Sequence, residues 1–590
     1  MKDIHFYCSR LSRSSLREIR YRVGDTCRVF GLRTLPSLFG PKVRGIDVAE
    51  RRRVSLVLPE WRSNISDDTV DWVLGGGVFT YEASKERIRA FENEVRHSFF
   101  ADITLERDLD IRFAWEVARL QHLILLLAVL RKGEADDRGG VINQFVRHES
   151  LGWIEKNQFP YGPHFMSVME CGLRIPVFLA VLKLIPLSRQ QRNVIYRTIF
   201  EHAWLIQRRL SQFSSLGNHT VCEGVGLIFA GMLFGIYGED WLEKGLEVLK
   251  STLDQQVLDD GGPAEQSLSY QRFVLDQYWL AIDFVEKNSV YDFSGIKPRL
   301  QRGEAFLRAF QDAAGDFPSI GDSDDGHALG PGLVPKRPSV ARREDLVTTF
   351  PDSGYTVIRG KDKLLVTFDH GPLGMPPLYN HGHADALSIT LSKEGRQILV
   401  DPGTYRYNGV PEWRKYFKGT RCHNTVTLDG LDQAVQETSF IWSSPYTARL
   451  VAGSSDSDGH FWVGVHDGYA RLKEPVKHQR TVVLFGETDL VVKDSFVGSG
   501  VHEFELNWHL HPDVTLKKEE KQWVISTAET RISMRLLEPS DDFKIVEGSR
   551  QPILGWYSPS YGFKEPCPVL QFKRSGEPAS VQFKTVISFA

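Results

Sequence analysis

Between residues 86 and 315 apolar side chains recur every three to four positions, in IRFAWEVARLQHLILLLAVL, MSVMECGLRIPVFLAVLKLI, VIYRTIFEHAWLIQRRL, GVGLIFAGMLFGI, WLEKGLEVLKSTL, YQRFVLDQYWLAIDFVEK and RGEAFLRAF. That period lays an apolar stripe along a helix, so the spacing predicts roughly seven amphipathic helices with short Gly, Ser or Asp breaks. Helices joined by short loops pack as antiparallel pairs, which leaves a bundle, a solenoid or a closed toroid. No fixed-period repeat is visible, and this disfavours an open solenoid.

Residues 1–85 read as an N-terminal cap segment in which basic helical stretches alternate with turn-rich ones. Its arginines Arg10, Arg13, Arg17, Arg20 and Arg22 read as a solvated face, with an anionic ligand as the rival reading. Residues 316–350, including FPSIGDSDDGHALGPGLVPKRPS, are rich in Gly, Pro, Asp and Ser and mark a domain junction. From 351 to 590 the period becomes two, in segments such as KLLVTFDHG, RTVVLFGETDLVVKDSFV, HEFELNWHLH and SVQFKTVISFA, which predicts about ten strands in an antiparallel sandwich. The expected architecture is α+β and multidomain, with residues 86–315 as the helical domain.

Composition narrows the function classes. A net charge of -3 gives no electrostatic footprint for nucleic acid. The run Leu120–Leu130 is too short to span a bilayer and reads as a buried helix, so no membrane span is expected. No signal peptide is visible at the N-terminus, which places the chain in the cytoplasm; an export signal missing from this sequence would make it periplasmic or secreted. The six cysteines have no paired spacing and read as reduced thiols. Oligomeric state is not legible.

The densest chemistry lies between Tyr379 and Val426, with three histidines, two aspartates, four tyrosines and four arginines. His381 and His383 are two apart, which on an extended backbone puts both imidazoles on one face. Asp401 follows SITLSKEGRQILV, whose Glu394-Gly395 turn folds the chain back, and His423 opens a further strand, HNTVTL. A His, Asp, His set from neighbouring strands suits zinc. The rival reading is a wet polar loop at a sheet edge.

These features, taken in order as GNHT, GGPAEQSLSY, YNHGHAD and DPGTY…HNTV after a helical domain, resemble the heparinase II/III group of polysaccharide lyases over roughly residues 90–590. The resemblance implies an N-terminal (α/α) toroid, a C-terminal antiparallel β-sandwich, and a cleft that cleaves uronate-containing acidic polysaccharide or oligosaccharide by β-elimination. That reaction needs the uronate carboxylate neutralised, a base for the C5 proton and an acid for the leaving oxygen. By resemblance, Asn218 binds the carboxylate beside His219. Tyr270 protonates the leaving oxygen and is also a candidate for the base, and His381 is paired with it. Tyr407, near Arg406 and Arg414, is a second tyrosine for either proton-transfer role. Glu170 and Arg174, an i, i+4 pair, with Glu265, Arg406 and Arg414 would line the groove and bind substrate, while His383, Asp401 and His423 would hold one structural divalent metal, zinc by donor type.

Each assignment has a plainer rival. Asn218 is also a helix cap residue, Tyr270 a core aromatic, Glu170 with Arg174 a simple ion pair, and Asp322, Asp324 and Asp325 a solvated turn or a hard-cation site. Two other functions stay open: a non-catalytic acidic-glycan-binding or assembly protein, and a hydrolase using the metal directly. Heparan sulfate, alginate and bacterial exopolysaccharide all remain possible substrates.

Overall fold

The computed structural model describes residues 15–78, 85–105, 108–134, 136–213, 216–238, 240–341, 345–456, 459–486, 488–538 and 542–589. Arg10 and Arg13 lie outside them. The chain is a helical toroid followed by antiparallel β-sheets.

In the toroid, sequence neighbours pack side by side. Asn218–Phe234 lies against Trp241–Gln256, Leu268–Asn288 and Val168–Leu184. Val168–Leu184 and Asn218–Phe234 are buried on nearly every side, the expected state of a helix that is apolar all round. They approach closely because a side chain at Gly226 would meet the Cα of Gly172 at 2.7 Å. Arg112–Lys132 and Asn218–Tyr237 are long and apolar enough to cross a membrane by composition, but both are mostly buried in the protein core.

Two helical expectations need correction. The long segment through residue 120 is two helices, Arg112–Ala118 and Gln121–Lys132, separated where Leu120 takes a φ of 60°. Gly139–Lys156 is an additional helix that the apolar spacing did not reveal. It buries only Ile142, Val146, Ser150 and Ile154, too thin a stripe to stand out from the surrounding polar residues. The segment 15–78 contributes Leu32, Ala49, Leu56, Val70 and Val73 to the toroid's own apolar core.

The β half has three principal sheets. An eight-stranded sheet runs in the order Ala448–Asp456, Gly459–Tyr469, Val476–Phe485, Asp489–Gly498, Gln582–Ser588, Arg531–Glu538, Gln522–Ser526 and Thr515–Glu519, so the last strand of the chain is inserted at its centre. A four-stranded sheet, Lys544–Glu547, Pro568–Gly576, His502–His509 and Val426–Leu428, shares a core with it through Trp508, Leu506, Val492 and Phe583. A five-stranded sheet, Val347–Phe350 to Arg396–Leu399, adds Val366 and Phe368 to the same core. Its last hairpin turns through Glu394 and Gly395 at φ of 53° and 78°, the two-residue turn read from the sequence.

A buried carboxyl makes the helical core sensitive to pH. Glu223 is fully buried and accepts hydrogen bonds from the Ser211 amide and hydroxyl, both at 2.7 Å. Burial still pushes its pKa up to about 8 from 4.5. The folded protein therefore holds the proton more tightly than the unfolded chain, and stability falls as pH rises from 4.5 through 8. Glu223→Gln removes this dependence at up to about 1.4 kcal/mol per pH unit. The variant should melt several degrees above the wild type at pH 8.5, with a much smaller gap at pH 5. A gap independent of pH would show that Glu223 does not titrate in this window.

Candidate active site

A cavity of about 690 Å³ opens between the toroid and the β-half loops, lined by Arg112, Arg119, Glu170, His219, Tyr270, Asp324, His381, Tyr407 and Phe440, among others. Tyr270 sits in the first turn of Leu268–Asn288, where the Ser267 side chain caps the helix by accepting from the Tyr270 amide at 3.1 Å. Its hydroxyl donates to Asp324 Oδ2 at 2.7 Å and lies 3.1 Å from the Tyr407 hydroxyl. Its ring stacks on His381 at 3.8 Å between centroids. Burial, with Asp324 and Asp322 nearby, holds the Tyr270 phenol well above its ordinary pKa of 10. At neutral pH it is a proton donor.

His381 is held at both nitrogens. Nδ1 lies 3.0 Å from Asp322 Oδ2; Nε2 lies 3.3 Å from Asn218 Nδ2 and 3.5 Å from Glu265 Oε2. Glu265 grips Asn218 twice, accepting from its amide nitrogen at 2.9 Å and its side chain at 3.0 Å. Gly217, at a φ of 125°, makes room for this: a side chain there would meet Glu265 Oε1 at 2.5 Å. Asn218 is thus the first residue of its helix and not its cap. It is 2% exposed and lies behind His381, while His219 reaches the cavity wall. Burial pushes the Glu265 carboxyl up, and burial with His381 pushes His219 down to about 4.

Several expectations are corrected by the packing. The plainer reading of Glu170 and Arg174 as an ion pair with each other gives way to other partners: Glu170 takes Arg119 at 2.8 Å, and Arg174 turns to His202 Nε2 at 3.0 Å and the His164 carbonyl at 2.7 Å. Both are fully buried, and of the two only Glu170 reaches the cavity. Arg406 stacks on Phe113 and Tyr405 at 5.2 and 5.1 Å and does not line the cavity. Arg414 is buried against Asp322, bonding at 2.5 and 2.9 Å, with Tyr407 4.9 Å beneath its guanidinium. His381 and His383 occupy an irregular loop and not a strand, and His423 precedes the strand Val426–Leu428.

Asp322 and Asp324, read as a solvated turn or cation site, are instead buried parts of the site. Asp324 receives Tyr270 and faces Arg112 at 3.5 Å. Asp322 receives His381, His383 and Arg414; burial alone would raise its pKa, yet Arg414 and the two histidines hold it well below the carboxylate range. Arg112 and Arg119 were missed altogether. Their signal was two cations in an otherwise apolar stretch, where each needs a buried partner.

His383, Asp401 and His423 place their ligand atoms within 4.8 Å of one another, at 1%, 4% and 0% exposure. His423 Nδ1 is 3.2 Å from Asp401 Oδ2. His383 Nδ1 and His423 Nε2 are buried without a hydrogen-bond partner, the state expected of nitrogens that serve as metal ligands. The donors therefore fit a divalent ion of the zinc type. None of the three lines the cavity.

The model of the heparinase II/III N-terminus matches residues 169–295, and that of the heparinase II/III-like C-terminal domain matches residues 342–589. A heparin-sulfate lyase of Bacteroides stercoris is 23% identical over 417 residues, 64% of this chain and 58% of that protein. A second, from Pedobacter heparinus, is 22% identical over 337 residues, 51% of this chain and 48% of the relative. The chain thus spans less than two thirds of the length of these curated relatives. The crystal structure of heparinase III superposes with a TM-score of 0.64 at 15% identity, covering 92% of this chain and 88% of the other. That of a Pedobacter heparinus heparan sulfate lyase gives 0.54 at 16% identity, covering 92% and 87%. These likenesses show the fold, a toroid joined to a β-sandwich, and with both domain models in order the chain belongs to the heparinase II/III-like family.

Proposed function

We propose that this protein is a polysaccharide lyase that cleaves a uronate-containing acidic polysaccharide by β-elimination. The observation that carries the reading is the Tyr270–His381 pair, a neutral phenol stacked on an imidazole at the wall of a cleft. His381 takes the C5 proton on Nε2, Tyr270 gives its proton to the leaving oxygen, and His219, on the cavity wall, faces the uronate carboxylate. The relatives, named as heparin-sulfate lyases, support the same class of substrate.

Charge supports a lightly sulfated polymer. Among the described residues, each arginine on the cleft wall already has a carboxylate: Arg22 with Glu18 at 2.6 Å, Arg112 with Asp324 at 3.5 Å, Arg119 with Glu170 at 2.8 Å and Arg209 with Asp25 at 3.1 Å. Dense sulfate recognition uses cations free to meet it.

A bound zinc would act structurally, holding the loop of His381 through His383, Asp401 and His423. Hydrolysis at the metal needs an open coordination position facing substrate, and this cluster is buried away from the cleft.

Ultraviolet absorbance during incubation with heparan sulfate, hyaluronan, alginate and bacterial exopolysaccharides tests the reading. An increase from the unsaturated uronate is expected with at least one polymer. Reducing ends without absorbance would indicate hydrolysis; neither signal on any polymer would favour a binding protein.

A further inference from the structure

One carboxylate bonds both a histidine of the metal-type cluster and a histidine of the cleft wall. Asp322 is fully buried. Its Oδ2 lies 3.0 Å from His381 Nδ1 and its Oδ1 lies 3.0 Å from His383 Nε2. Arg414 bonds both oxygens, and the Thr404 hydroxyl donates to Oδ1 at 3.3 Å. The backbone is engaged too. Its amide donates to the His381 carbonyl at 2.9 Å, and its carbonyl accepts from Ser267 Oγ at 2.6 Å, the hydroxyl that caps the Tyr270 helix.

A carboxylate paired bidentately with arginine is an acceptor only, so both imidazoles must present an N–H to it. His381 then carries its proton on Nδ1 and leaves the Nε2 lone pair, to which Asn218 Nδ2 donates at 3.3 Å. His383 carries its proton on Nε2 and leaves the lone pair on Nδ1, which is the buried nitrogen without a partner. The two histidines thus meet different oxygens of one carboxylate through opposite ring nitrogens.

We propose that Asp322 is a positioning residue that sets both tautomers at once, directing His383 Nδ1 to the metal and His381 Nε2 to the reacting proton. Metal affinity and turnover then depend on the same side chain. The turnover half rests on the lyase reading above; the metal half does not.

Asp322→Asn in the full chain tests this. The amide keeps the shape but has one acceptor oxygen, so its NH₂ must face an imidazole or Arg414 and the tautomers are no longer both enforced. Zinc affinity, measured without substrate by competition with a chromophoric chelator, should weaken about 10- to 100-fold, as for other outer partners of metal ligands. On a polymer cleaved by the wild type, kcat should fall at least about 100-fold with KM nearly unchanged. It should stay low at saturating zinc. Unchanged zinc affinity overturns the proposal, as does full recovery of kcat at saturating zinc, since Asp322 would then serve the metal alone. If the wild type cleaves none of the polymers, the lyase reading fails and the zinc measurement alone decides. If the variant does not fold, a zinc-soaked crystal of the wild type decides: zinc on His383 Nδ1 with Asp322 still on Nε2 supports the proposal, and zinc on Nε2 overturns it.

Discussion

Tyr270→Phe should lower kcat on the cleaved polymer by about 10³-fold, within the range of 10²–10⁴ for a positioned acid or base, and leave the fold intact. Phenylalanine keeps the ring that stacks on His381 and loses only the hydroxyl bonded to Asp324 and adjacent to Tyr407. Asp324 retains Arg112 and the Gly326 amide at 3.0 Å, so its charge stays compensated. The effect should fall on kcat more than KM, because the proton moves only in the transition state. Initial rates with a matched far-ultraviolet circular dichroism spectrum check this. Turnover within tenfold of the wild type would remove Tyr270 from the chemistry, and Tyr407, 3.1 Å away, would become the acid.

The second large effect is expected of His381→Ala, which removes the proposed base while retaining Tyr270. A loss of kcat of about 10²–10⁴-fold is expected. The cavity left beside Tyr270 should admit imidazole, and millimolar imidazole should restore part of the rate. Full activity without imidazole would assign the base elsewhere. Loss of zinc affinity comparable to that of Asp322→Asn would show that the variant had disturbed the His383 loop and had not simply removed a proton acceptor.

Parts of the site were legible in the sequence. His383, Asp401 and His423 could be grouped because the Glu394-Gly395 hairpin returns the chain locally and a short helix separates the last two. Tyr270 and His381, 111 positions apart by their numbers, were joined only by resemblance, and the stacked geometry is what spacing could not supply. The Glu170–Arg174 expectation failed for a related reason. An i, i+4 spacing is favourable on an exposed helix face, but a helix buried on all sides offers partners from neighbouring helices, and Arg119 reached Glu170 first.

The sequence by itself determined the order of the architecture, helices and then strands, because a period near 3.6 and a period of two are properties of one stretch of chain. It determined the hairpin before Asp401 for the same reason. Only the tertiary structure decided the charge pairing of the cleft and the place of the aspartates in the Gly- and Asp-rich junction. Locally, DSDD reads as a turn in water. Its surroundings make Asp322 a buried carboxylate meeting Arg414, His381 and His383 from 59 to 92 positions away, and burying a charge is tolerable only once such partners are brought together by the fold.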